Sequence, residues 1–71
     1  LEIEMTVFEK RIQMLEAINK RGVFSRSVFE DLFDISQSQA NVILREFIKL
    51  GFIEEDKNIY RVTEKTKRIF E

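Results

Sequence analysis

Asp34-Ile35-Ser36-Gln37-Ser38-Gln39-Ala40-Asn41-Val42-Ile43-Leu44-Arg45-Glu46-Phe47-Ile48-Lys49-Leu50-Gly51 is the stretch on which the fold turns. Ala40, Ile43, Leu44, Phe47 and Leu50 recur at helical spacing and fall within one arc. Ser38, Asn41, Arg45 and Lys49 fall on the opposite, polar arc. Ser36 supplies the short hydroxyl that satisfies free N–H groups at a helix start, and Gly51 is a natural left-handed stop. The spacing therefore predicts a helix over about 37–50. Asp34 tolerates left-handed backbone better than most residues with a side chain, so a tight turn can join this helix to one before it.

Upstream, Val28, Phe29 and Leu32 form a short apolar stripe, which predicts a helix over about 26–33. Ser25 or Ser27 can cap it, and Ser27 with Glu30 has capping-box spacing. Val23-Phe24-Ser25 is too short for more than a bridge of strand. Thr6 with Glu9 predicts another capping box and opens a helix over about 7–21 that ends at Gly22, with Lys20 and Arg21 in its last turn. Val7, Phe8, Ile12, Leu15 and Ile18 fill its apolar arc, with Met14 at the edge. Arg11 falls inside that arc. Its stem is expected to pack while its head reaches water, the sharper alternative being a contact to a second chain. Leu1, Ile3 and Met5 alternate with Glu2 and Glu4 as a half-buried strand would. They are expected to pair with a second copy or dock on the chain's own hairpin. Residues 1–5 can equally be an extension, or a remnant of trimming ahead of a natural start at Met5.

Downstream, Phe52-Ile53-Glu54-Glu55 and Ile59-Tyr60-Arg61-Val62 read as strands, and Asp56-Lys57-Asn58 carries turn chemistry. Asn58 is the residue expected to have a positive φ. Thr63 is expected to cap a last helix over about 64–70. Ile69 and Phe70 would be its anchors in the core. The order is helix, short strand, helix, tight turn, helix, hairpin, helix. That is one domain over residues 1–71, mainly α with a small β-hairpin. A three-helix core with a hairpin wing and a short C-terminal helix is a winged helix-turn-helix.

Composition narrows the chemistry. The chain of 71 residues has no His and no Cys, so the usual zinc, haem, iron–sulfur, Cys-nucleophile and Ser-His-Asp sets are excluded. Gly22 and Gly51 are its two glycines, too few for a phosphate-cradling loop. Glu54, Glu55 and Asp56 are adjacent in a hairpin and point different ways, so no metal site is expected. No enzyme, cofactor, metal or small-molecule substrate is expected. No apolar run approaches the roughly 20 residues of a membrane-spanning helix. The start lacks a secretory signal, which predicts a cytoplasmic protein.

Ile35-Ser36-Gln37-Ser38 through Leu44, Phe47 and Leu50-Gly51-Phe52-Ile53 resembles the "IS-Q-S … L … L … G-L-I" pattern of prokaryotic winged helix-turn-helix regulators, whether bacterial, archaeal or archaeal-viral. Tyr60-Arg61-Val62-Thr63-Glu64-Lys65 resembles the "Y-x-L-T-E-K-G" run that closes the wing in many of them. Asp34 and Thr66 stand where relatives have Gly. The resemblance covers about residues 7–70 and implies a sequence-specific, DNA-binding transcriptional regulator. The helix at 37–50 would enter the major groove, and the wing at 52–62 would lie on the flanking backbone.

On that implication, Gln37, Ser38, Gln39, Asn41 and Arg45 are the expected base readers, since amides pair with adenine and guanidinium with guanine. Val42 would meet a thymine methyl, or be an ordinary exposed Val. Lys49, Lys57 and Arg61 would grip phosphates, with Asn58 beside them at the wing tip. Residues 1–35 hold five Lys/Arg and seven Asp/Glu; residues 36–71 hold seven and six. Glu46, Glu54, Glu55 and Asp56 would repel phosphate near the footprint. The expected binder is thus a sequence-selective homodimer on double-stranded DNA, with few phosphate contacts per subunit. Arg11, Met14, Ile69 and Phe70 are candidates for its dimer surface. The alternative is a protein–protein interaction module within a larger assembly or longer chain, which the sequence pI of about 5.5 and exposed Val42 and Ile48 favour.

Overall fold

A computed structural model describes residues 6–71, and the expected strand at Leu1, Ile3 and Met5 lies outside them. The elements run α1 (Val7–Arg21), β1 (Val23–Ser25), α2 (Arg26–Phe33), α3 (Gln37–Leu50), β2 (Ile53–Asp56), β3 (Ile59–Val62) and α4 (Glu64–Ile69). The fold is mainly helical, with a small antiparallel sheet of order β1-β3-β2.

Local chemistry explains the helix limits. Thr6 and Glu9 form the predicted capping box, with the Glu9 N–H donating to Thr6 Oγ1 at 3.1 Å and the Thr6 N–H to Glu9 Oε1 at 3.2 Å. Gly22, at φ +80, turns the chain out of α1. At α2 the cap is Ser25, whose Oγ accepts from the Val28 N–H at 3.3 Å. The Ser27–Glu30 box is not formed, because the helix starts at Arg26 and carries Ser27 inside its first turn. Asp34 takes the expected left-handed conformation (φ 51, ψ 53) and ends α2. Ser36 then caps α3 through the Gln39 N–H at 3.2 Å, and Gly51 at φ +83 closes it.

Val23-Phe24-Ser25 exceeds the expected bridge. It pairs along its length with β3, in the register Val23↔Arg61, Phe24↔Tyr60 and Ser25↔Ile59. The hairpin loop holds two residues between the paired Asp56 and Ile59. Both have positive φ, Asn58 at 68 as expected and Lys57 at 51 beside it. A two-residue loop matches the strand twist when both central residues are left-handed, which draws Lys57 in as well.

The core gathers around Phe24, whose ring stacks on Phe29 at 5.7 Å and on Tyr60 at 5.6 Å. Leu15 and Ile18 of α1, Ala40, Ile43, Leu44 and Phe47 of α3, and Ile53 and Val62 of the hairpin complete it. Several expected core residues stay outside. Val7 is 70% exposed, Phe8 73%, Ile12 40%, Leu50 48% and Ile69 54%. They line an open groove between the start of α1, the end of α3 and α4, and nothing in the described chain fills it. Phe70 packs against the core from its edge, as expected, and so does Met14.

The seat of α4 also differs from expectation. Thr63 precedes the helix but makes no side-chain cap. Its hydroxyl donates instead to the Gly51 carbonyl at 2.7 Å. Thr66 is fully buried, and its hydroxyl donates to the Phe52 carbonyl at 2.6 Å. Lys65 Nζ donates to the Leu50 carbonyl at 2.8 Å. These side chains satisfy carbonyls that the end of α3 leaves free, and they tie α4 to the α3–β2 corner.

Candidate functional site

α3 crosses the molecule with one arc in the core and the other in solvent. Gln37, Ser38, Gln39, Asn41, Val42, Arg45 and Lys49 are all exposed along it, and Lys57, Asn58 and Arg61 are exposed on the hairpin. These ten residues do not form one surface. Asn41, Arg45 and Asn58 face a cleft between α3, the start of α2 and the hairpin. Ser38, Gln39 and Val42 face the other way, into a groove shared with Arg11 and Ile35. Lys57 and Arg61 lie on the outer side of the hairpin with Glu54 and Asp56.

Arg61 is separated from α3 by strand alternation. Its neighbours Tyr60 and Val62 are buried, so Arg61 points to the opposite face of the sheet. There it sits in register with Glu54 across β2, which offsets its charge. The expected joint grip of Lys49, Lys57 and Arg61 is therefore split between surfaces. Glu46 also departs from expectation. Its carboxylate meets the Arg11 guanidinium at 3.8 Å in the groove beside α1, away from the cleft. Arg11 packs its stem as expected, while its Nε is buried without a hydrogen-bond partner.

Inside the cleft the structure adds residues that the sequence did not single out. Arg26 opens α2 next to Asn41, and its Nη1 donates to Asn41 Oδ1 at 3.4 Å. Arg26 Nε lies 3.3 Å from Glu30 Oε2, so a carboxylate one turn along holds the guanidinium in place. Ser25, Ser27, Leu44, Ile48, Glu55 and Tyr60 complete the walls. Tyr60 is held above its ordinary pKa of 10.0 by burial first and by the Glu55 carboxylate second, with Arg26 acting in the opposite sense. Its hydroxyl is therefore protonated throughout the neutral range.

The signal for Arg26 was present but not local. It is the first residue of a helix that packs on α3, and 15 positions separate it from Asn41. Gln39 was singled out as a base reader and is also part of the cap. Its Oε1 accepts from the Ser36 N–H at 3.1 Å and from Ser36 Oγ at 3.4 Å. The cleft thus sets two guanidinium groups, Arg26 and Arg45, against the carboxylate of Glu55 and the amides of Asn41 and Asn58. Such a surface can bind a polyanion and donate hydrogen bonds to it. No group of three or more Asp or Glu able to hold a metal occurs among the described residues, and no helix there is long and apolar enough to cross a membrane.

No known family model matches this chain, and no curated protein matches it either.

Proposed function

We propose that this chain is a winged helix-turn-helix domain that binds double-stranded DNA selectively and regulates transcription in the cytoplasm. The observation that carries the proposal is α3 itself. It follows a tight Asp34 turn, is capped at both ends, and leaves its polar arc exposed to solvent. Its 14 residues span about 21 Å, and a helix fits the roughly 12 Å width of the major groove. Arg26 and Arg45 flank the cleft between this helix and the hairpin, where a phosphate strand would run. Lys57 at the hairpin tip reaches the neighbouring backbone, while Glu54, Glu55 and Asp56 limit the number of phosphate contacts.

So small a footprint calls for two copies. The groove around Val7, Phe8, Ile12, Leu50 and Ile69 supplies a surface for a second chain. Contiguous apolar surface of this kind marks an interaction site. A standard interface needs about 800 Å² per partner, so its rim must take part. That rim carries both signs, with Arg11 and Glu46 lining the groove. Mixed rim charge suits a two-fold interface, in which each patch meets its own copy.

In vitro selection from random duplexes, with the oligomeric state measured in parallel, tests the proposal. Enrichment of a palindromic site bound by two chains is expected. Recovery of no preferred site would sink it. A second reading, a protein-interaction module, draws on exposed Val42 and Ile48 on α3. Salt separates the two. DNA binding falls steeply with added salt as counterions are released, whereas an apolar protein interface hardly responds.

A further inference from the structure

We infer that α3 is set to read acceptor-bearing base edges, guanine above all, rather than adenine. The inference rests on the DNA-binding proposal and specifies its target. A side-chain amide has one oxygen acceptor and one NH₂ donor, and recognition of adenine in the major groove uses both, on N6–H₂ and N7.

In this structure the oxygens of two amides are already engaged. Asn41 Oδ1 accepts from Arg26 Nη1 at 3.4 Å. A guanidinium has donors and no acceptor, so the amide must turn its oxygen toward it and its NH₂ outward. Gln39 Oε1 accepts from the Ser36 N–H at 3.1 Å, and a backbone N–H fixes that orientation for the same reason. Arg45 and Lys49, further along the same arc, are donors only.

The outward groups on the Asn41 side of α3, Asn41, Arg45 and Lys49, are therefore donors. The acceptors of α3 lie elsewhere, on Gln37 and Ser38 in its first turn and on Glu46, whose carboxylate turns to Arg11 in the groove beside α1 at 3.8 Å. Guanine offers N7 and O6 side by side, both acceptors, and matches such an array. Adenine would bring its N6–H₂ toward NH₂ groups, because Asn41 Oδ1 is turned toward Arg26 rather than toward the base. Arg26 acts here through Asn41, as a positioning residue that Glu30 holds at 3.3 Å. Glu55, the carboxylate in the cleft, belongs to the hairpin wall and not to the arc of α3.

The test uses the full chain and a random duplex library, followed by substituted versions of the recovered site. Guanines are expected opposite Asn41 and Arg45. Replacing them with 7-deazaguanine, which lacks N7, should weaken binding at least about tenfold. Inosine, which keeps N7 and O6, should be tolerated. Arg26→Met frees Asn41 Oδ1 and should move the preference at that one base from guanine toward adenine. A purely structural role for Arg26 would lower affinity for all bases alike. Asn41→Ala, which leaves Arg26 in place, should erase the preference there. Adenine-rich sites from the parent chain, or an unchanged preference in Arg26→Met, overturn the inference and leave DNA binding standing. Failure to enrich any duplex removes both.

Discussion

The apolar arcs of α3 and α1 look alike as sequence and end differently as structure. Each belongs to a helix with a capping box at its start and a glycine at its end. Each carries an apolar arc. The arc of α3 is closed over as far as Phe47, so Ala40, Leu44 and Phe47 are buried, and only Leu50 at its end is half exposed. The arc of α1 is closed over only from Leu15 onward, leaving Val7, Phe8 and Ile12 in solvent. Periodicity states which face is apolar. Whether another element arrives to cover that face depends on element lengths and on the path of the chain. Here α4 is six residues long and leaves the groove beside α1 open.

The sharpest way to break this contrast is to set a fully covered core residue against the uncovered start of α1. Phe29 is fully buried under the α2–α3 corner. Phe29→Ala should cost roughly 3–5 kcal/mol and unfold much of the population at ambient temperature, as urea titration would record. Arg45→Ala probes the opposite arc. It should lose roughly 1–3 kcal/mol of discrimination at one base pair, whereas Lys57→Ala should weaken all sequences alike and reduce the salt slope by about one. Competition assays at two salt concentrations separate them.

The two capping boxes make a closer comparison. Ser36→Ala should cost about 1 kcal/mol, because α3 is locked into the core from its first turn. Thr6→Ala should cost less, because the start of α1 has little packing to lose; paired thermal melts give the ranking. Phe8→Glu should change monomer stability by no more than about 0.5 kcal/mol and yet dissociate a dimer, which sedimentation would detect. Equal loss of stability from Phe8→Glu and Phe29→Ala would mean that α1 is covered after all.

The smallest effect lies at Tyr60. Its folded pKa is raised above the ordinary value. The folded state therefore holds its proton more tightly than the unfolded chain, and its contribution is fully present below about pH 10. That contribution disappears as pH rises through the elevated pKa. Tyr60→Phe should flatten the alkaline limb of the stability curve and leave the neutral region nearly unchanged.

The helix limits were legible because their causes lie within a few residues. Thr6 with Glu9, Ser36 at the start of α3, Asp34 in the turn, and Gly22 and Gly51 at the exits each act on backbone groups one turn away. The hairpin was legible for the same reason, although its two-residue loop imposed a left-handed Lys57 that side-chain preference did not announce. Half of the candidate site was legible as well. The arc of α3 is an angular property of one helix, and Asn41 and Arg45 lie on it as expected.

What the sequence determined by itself is the set of elements, their order and the apolar face of each. These follow from hydrogen bonds and side-chain spacing within single segments. What only the tertiary structure decided is which faces meet. It joined Arg26 to Asn41 across 15 positions and turned Arg61 away from α3. It also buried Thr66 against the Phe52 carbonyl and left Phe8 uncovered. Each of those outcomes depends on the distance and angle between two elements, and no spacing along one element encodes them.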